Sequence, residues 1–251
     1  MTQTETASIK PPIKTAMVLA AGRGTRMRAA DTDPPKPLTL LAGATLLDRM
    51  IEKLKSAGIE RLVVNVHFKA DWIEAHLLQN GARQDGLEVF ISDERGHLMD
   101  TGGGVLKARE TLGDAPFYVC NADVFWLETQ NNLQALAQGF DPENMSALLL
   151  LADRARASGY DGAGDFHMSE NGLLKRRGLD VQASLIYAGA QIVNPALLAE
   201  APQEGEPFSF NLLWDAAIAQ NQLFGLPLQG DWMHIGTPEG LAEAEQRLQA
   251  G

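Results

Sequence analysis

A single cysteine, Cys120, stands in the 251 residues, so no intrachain disulfide can form and the chain reads as a protein of a reducing compartment. Its neighbours Tyr118 and Val119 are apolar, which makes the thiol a packed core group rather than a nucleophile. Long hydrophobic runs are missing as well. None exceeds the six residues from Ala147 to Ala152, whereas crossing a bilayer takes about 20. Positions 1–14 lack the apolar segment of a secretory signal, contain Pro11-Pro12, and read as a loose tail. Positive charge is scarce: 21 Lys and Arg face 32 Asp and Glu, a formal net charge of −11 with no basic stripe. That excludes nucleic acid as an expected partner. The expectation is a cytoplasmic protein with no membrane partner. Its oligomeric state is not readable.

What is present is an ordinary globular composition, 45% hydrophobic and 21% charged, long enough for one large α/β domain. Strand-like and helix-like stretches alternate from Thr15 to about Leu151. Strands are expected at Thr15–Ala20, Arg61–Val66, Leu87–Ser92, Phe117–Asn121 and Ser146–Ala152. Helices are expected at Thr45–Ala57, Asp71–Gln79, Gly102–Leu112 and Asn132–Gln138. The first helix carries Leu47, Met50, Ile51 and Leu54 on one face and is stopped by Gly58. Such alternation predicts βαβ units in a three-layer, Rossmann-like, mostly parallel sheet. Beyond Leu151 the pattern changes. Asn171-Gly172 signals a hairpin between Asp165–Met168 and Leu173–Lys175. A strand at Ser184–Val193, a helix at Phe210–Gln220 and a short strand at Leu223–Leu228 follow. The last helix is capped by Thr237, with Pro238 as its first residue, and runs to about Leu248. No linker interrupts the chain, so 15–251 is expected to be one domain.

The most informative segment is Leu19-Ala20-Ala21-Gly22-Arg23-Gly24-Thr25-Arg26-Met27, with Pro35-Lys36-Pro37 close behind. Glycines let a backbone approach a ligand and present its N–H groups, and nearby cations suit a polyphosphate. A Walker loop is absent. The dinucleotide fingerprint begins at Gly22 and Gly24 but meets Met27 where its third glycine belongs, which speaks against a redox Rossmann protein. Lys36 is a point charge whose direction the flanking prolines restrict. Asp100-Thr101-Gly102-Gly103-Gly104 opens a helix with three costly glycines, which asks for a close backbone approach. Asn121-Ala122-Asp123 ends a buried strand, where ligands of parallel sheets gather, and a carboxylate there suits Mg²⁺.

Together these motifs resemble the sugar-nucleotide pyrophosphorylases, nucleotidyltransferases that couple a sugar 1-phosphate to a nucleoside triphosphate. The resemblance runs from about Thr15 to Leu248 and implies a glycosyltransferase-A-like nucleotidyltransferase fold. It divides the chain into a nucleotide half, about 15–125, and a sugar half, about 126–251. By resemblance, Arg26 and Lys36 act on the phosphates, and Leu19, Ala20, Ala21, Gly22, Arg23, Gly24, Thr25 and Asn121 hold the nucleotide. Thr101, Gly102 and Gly103 face the base, Gly164, Asp165, Tyr187 and Gly189 meet the sugar, and Asp123 binds the metal, Mg²⁺ or Mn²⁺. One departure stands out. In Trp232-Met233-His234-Ile235-Gly236-Thr237-Pro238-Glu239, His234 occupies the place of the family's second metal-binding aspartate. Imidazole is a poor Mg²⁺ ligand. His234 therefore binds a metal such as Mn²⁺, contacts phosphate, holds a water on Mg²⁺, or marks lost catalysis and a protein that only binds sugar nucleotides. Within the family, Thr-Gly-Gly-Gly, Asn-Ala-Asp-Val and Gly-Asp-Phe look most like uridylyltransferases acting on N-acetylmuramate α-1-phosphate in cell-wall recycling. Mannose-1-phosphate guanylyltransferases are the alternative.

Overall fold

The computed structural model describes residues 12–22, 24, 33–79 and 86–250. Its frame is a nine-stranded sheet. Thr15–Leu19 lies between Arg61–Val66 and Phe117–Asn121, parallel to both, and Glu88–Asp93 extends that block in parallel beyond Arg61–Val66. On the other side, Leu185–Val193 pairs antiparallel with Phe117–Asn121. Its second edge carries Ala147–Asp153, also antiparallel, and Leu223–Pro227 runs parallel beyond that. The hairpin Phe166–Met168/Leu174–Arg176 joins the sheet through Leu185↔Phe166. Only Leu185–Val193 and the short Leu174–Arg176 therefore run against the remaining strands.

Side-chain alternation along the strands explains the layers. Ala16 and Val18 pack with Leu47, Met50, Ile73 and Leu136, from helices Leu46–Ser56, Ala70–Gln79 and Asn132–Gly139. Met17 packs the other way, with Val105, Leu112 and Leu213, from helices Asp100–Lys107, Arg109–Leu112 and Asn211–Ala219. Both faces are covered, so the parallel strands are apolar almost throughout. Each buried Leu, Met or Phe contributes about 1.5–3 kcal/mol. The one buried phenol in the central strand, Tyr118, donates to the carbonyl of Leu133 at 2.7 Å.

Local signals act where the sequence places them. Thr45 caps its helix by accepting from Asp48 N at 3.0 Å, and Gly58 beyond its end takes φ +87°. Thr237 Oγ1 accepts from Gly240 N at 3.2 Å at the start of the last helix, Pro238–Ala250. Two expectations are corrected. The helix expected over Gly102–Leu112 starts earlier, at Asp100, where φ +59° turns the chain into the helix two residues sooner, and it breaks at Ala108 into a second short helix, Arg109–Leu112. The strand expected to end near Asp123 is followed at once by another, Val124–Glu128, which pairs antiparallel with Gly230–His234. Apolar Val124, Phe125 and Trp126 serve this ribbon, and Phe125 and Met233 pack with Leu41, Ile235 and Ala244 in a small separate core.

Candidate active site

The carboxyl ends of the parallel strands converge on a cavity of about 460 Å³. Leu19, Ala21 and Gly22 form one stretch of its wall, Leu98, Asp100 and Thr101 another, and Asn121 and Asp123 the floor. A smaller cavity of about 180 Å³ adjoins it, lined by Tyr187, Gln191 and Trp214 and sharing Leu19, Thr101 and Asn121 with the first. Shared residues make the two cavities one cleft with a larger and a smaller arm.

Lys36 does not line either cavity and meets the cleft through Asp123. Its segment, Lys36–Leu38, is a single 3-10 turn held by Leu38 N to Pro35 O at 2.8 Å and Thr39 N to Lys36 O at 3.0 Å. Pro35 and Pro37 are buried with it, so the backbone at Lys36 is held by packing as well as by ring constraint. Lys36 Nζ reaches Oδ2 of Asp123 at 2.8 Å. Gly24, at φ +57°, passes so close that a Cβ there would lie 2.8 Å from Cβ of Lys36. The glycine loop, the lysine and the aspartate are thus neighbours in space. Arg23, Thr25 and Arg26 lie outside the described residues.

The three glycines after Thr101 meet three different neighbours. Gly102 and Gly103 both donate to the carbonyl of Phe208, at 2.9 and 3.1 Å. A Cβ on Gly102 would strike the Phe208 ring at 2.3 Å, and one on Gly103 would come within 3.0 Å of Glu206 O. Both are buried and neither is among the residues lining the larger cavity; the close approach that the three glycines allow is made by the 206–208 segment. Thr101 does line the cleft, while its Oγ1 accepts from Phe210 N at 2.9 Å. Gly104 lies against Glu94 and Asn65.

On the smaller arm, Tyr187 packs edge-on to Trp214, with ring centroids 4.8 Å apart. Burial pushes its phenol well above the ordinary value, and the nearby Cys120 and Asp123 push the same way, so it stays a neutral hydrogen-bonding group. Oδ2 of Asp165 accepts from Tyr187 N at 2.9 Å, which places Asp165 behind the tyrosine. Gly164, at φ +79°, lies buried under Ala183, and Gly189, at φ +85°, lies under Val124 where the strand bulges between Tyr187 and Gln191. Among these four, Tyr187 is the one that lines the cavity.

His234 pairs in register with Val124, the residue after Asp123. Its ring stacks on Trp232 (centroids 6.0 Å apart, planes 26° apart), faces the edge of Tyr160, and leaves no room for a side chain at Gly236. Among the described residues no three His, Cys, Asp or Glu side chains cluster as a metal cage. Asp123 offers one half-buried carboxylate at the cleft floor.

Sequence reasoning overlooked Asn65, Leu98, Asp100 and Pro207 on the larger arm, and Gln191, Asn211 and Trp214 on the smaller. Asn65 carried a signal: it is a polar residue near the carboxyl end of Arg-Leu-Val-Val-Asn-Val, an otherwise buried strand. Leu98 and Pro207 sit on connecting segments, whereas Gln191 belongs to the strand Leu185–Val193, Asn211 and Trp214 to the helix Asn211–Ala219, and Asp100 to the start of its helix; only the fold shows that these positions border the cleft.

The sequence profile of the MobA-like NTP transferase domain matches residues 16–220. The chain is 40% identical over 236 residues to an N-acetylmuramate alpha-1-phosphate uridylyltransferase of Caulobacter vibrioides, covering 94% of this chain and 97% of that protein. It is 31% identical to the protein of the same name from Neisseria meningitidis serogroup B, covering 92% and 96%. Among solved structures, UDP-glucose pyrophosphorylase from Acinetobacter baumannii superposes with a TM-score of 0.76 at 18% identity, over 94% of this chain and 93% of that one.

Proposed function

We propose, from the premise that this chain belongs to the MobA-like NTP transferase family and is a sugar-1-phosphate nucleotidyltransferase, that it joins UTP to N-acetylmuramate α-1-phosphate. The products are the UDP-sugar and pyrophosphate. The observation that carries this reading is the meeting of Gly24, Lys36 and Asp123 at one end of a two-armed cleft. A triphosphate occupies the larger arm, with its phosphates toward Lys36 and the amides around Gly22. The sugar phosphate comes from the Tyr187 side.

In this reaction a phosphate oxygen of the sugar phosphate attacks the α-phosphorus. The bond from that phosphorus to the bridging oxygen breaks, and pyrophosphate leaves with the electron pair. No covalent enzyme intermediate is needed; the chain contributes alignment and charge. Lys36 is held almost out of water, 7% exposed, so its charge acts across a poorly screened distance on the reacting phosphate. Thr101 and Asn121 stand where the two arms meet and fix the approach of one substrate to the other. Tyr187, neutral and half-buried, gives the sugar side a polar edge without a charge.

The residues present fit a divalent cation. Mg²⁺ is commonly held by one or two carboxylates plus substrate phosphates, and Asp123 supplies one such carboxylate. His234, paired with the residue after Asp123, would as a direct ligand suit Mn²⁺ better than Mg²⁺. When bound, the cation neutralises charge on the departing phosphates.

Pyrophosphate release from a panel of nucleoside triphosphates and sugar 1-phosphates, with Mg²⁺ and with Mn²⁺, tests the reading. UTP with N-acetylmuramate α-1-phosphate is expected to give the highest kcat/KM. GTP with mannose 1-phosphate as the preferred pair would move the assignment to guanylyl transfer. Nucleotide binding without turnover of any pair would leave a protein that binds sugar nucleotides without making them.

A further inference from the structure

Glu94 is completely buried and makes no ion pair among the described residues. A carboxylate in that position is costly unless both oxygens are satisfied, and here each is. Oε1 accepts from Asn65 Nδ2 at 2.8 Å, and Oε2 accepts from Met99 N at 3.0 Å. Asn65 passes the link on: its Oδ1 accepts from Ala20 N at 2.8 Å. Ala20 opens the glycine loop, and Met99 precedes Asp100 and Thr101. The neighbours of both, Leu19, Ala21 and Gly22 on one side and Leu98, Asp100 and Thr101 on the other, are wall segments of the larger arm. Glu94 itself is fixed at the backbone, where its N donates to Val66 O at 2.8 Å and its carbonyl meets His67 Nδ1 at 2.7 Å.

We propose that Glu94 is a positioning residue that sets the width of the nucleotide arm, acting on one wall through Asn65 and Ala20 and on the other through Met99. The inference rests on the nucleotide reading of that arm. The direction of every bond in the chain is forced. Both carboxylate oxygens accept, so Asn65 must turn its NH₂ toward Glu94 and its oxygen toward Ala20 N–H. A reversed amide would set donor against donor at Ala20. Gly104 completes the arrangement: a Cβ there would lie 2.8 Å from Glu94 Oε1 and 3.0 Å from Asn65 Nδ2. A carboxylate that merely filled space would need neither the ordered polarity nor a glycine kept beside it.

The polarity supplies the test. Glu94→Gln puts one NH₂ where two acceptors stood. Either the Met99 link is lost, or Asn65 must turn over and lose Ala20. Asn65→Asp alone sets two carboxylates against each other. Combined, the two changes restore every bond: the new amide donates to the new carboxylate, which still accepts from Ala20 N–H, and the amide oxygen still accepts from Met99 N–H. In the full chain, each single variant is expected to raise KM for UTP at least about tenfold, the scale of one lost bond to a charged group. KM for the sugar phosphate should stay within about twofold; because Asn65 itself lines the arm, the double variant is judged by exchange rather than by KM. Hydrogen–deuterium exchange should speed up at residues 17–22 and 98–104 together in each single variant and return to normal in the double. Exchange reads the link even if the chain turns over no nucleotide, so failure of the activity reading is separable from failure of this one. Unchanged exchange and UTP KM in Glu94→Gln, equal KM shifts for both substrates, or a double variant that exchanges no more slowly than the singles (unfolded included) would each overturn the proposal.

Discussion

Lys36 Nζ lies 2.8 Å from Oδ2 of Asp123, a contact that spans 87 positions of sequence and joins the proline-flanked turn to the end of the central strand. The lysine is nearly dry, with 9% of its side chain exposed, whereas the aspartate keeps 40%. The pair is therefore a weak staple for the fold, since solvent screens its open side. On the proposed reading its importance lies in holding a cation beside the carboxylate of the cleft floor.

Replacing Lys36 with Ala should accordingly reduce kcat by about 10²–10³, the range for losing one preorganised charge at a reacting group. The melting temperature should move by only a few degrees. Steady-state kinetics beside a thermal melt checks this. A kcat within threefold of the parent would place Lys36 outside the reacting centre.

The Asp123→Asn change keeps the shape and removes the charge. Half-maximal activity should then need at least about tenfold more Mg²⁺, because a hard cation loses its anionic oxygen. A metal titration at saturating substrates reads the shift, and an unmoved curve would take Asp123 out of metal binding.

At position 234 the exchange of interest is His234→Asp. A carboxylate prefers Mg²⁺ where imidazole prefers later metals, so the Mg²⁺ to Mn²⁺ activity ratio should rise. Gly236, against which the present ring packs, gains room with the smaller side chain, so folding should survive. A ratio that does not change would make His234 a packing residue between Trp232 and Tyr160.

Two glycines make a matched pair of tests. A Cβ at Gly22 would meet nothing within 4 Å, yet Gly22 lines the cleft. Gly22→Ala should leave the melting temperature within about 1–2 °C and raise KM for the nucleotide. Gly104→Ala presses on Glu94 and Asn65 and should cost about 1–3 kcal/mol of stability. Chemical denaturation of both variants separates ligand approach from core packing.

Much of this architecture was legible because strand and helix periods are strong and local. The apolar faces at Leu47–Leu54 and Leu213–Ala217, the Thr45 cap and the Gly58 stop all act within a few residues. The ribbon of Val124–Glu128 with Gly230–His234 was not legible, since its two strands come from distant segments and no hairpin turn joins them. The glycines at 102–104 were readable as a demand for space, but not as to what fills it. Phe208 and Glu94 are brought there by the fold. Arg26 was readable by motif, and it falls outside the described residues.

Leu185–Val193 runs against the parallel strands beside it and bulges at Gly189. Its early part, with Tyr187, borders the smaller arm, while the glycine loop and Lys36 belong to connections made much earlier in the chain. With the sugar phosphate in the smaller arm, as proposed above, selection can remodel the second reactant by editing this late strand and the nearby helix that carries Trp214. The machinery that handles the triphosphate need not be touched, and one scaffold can be retuned from sugar to sugar.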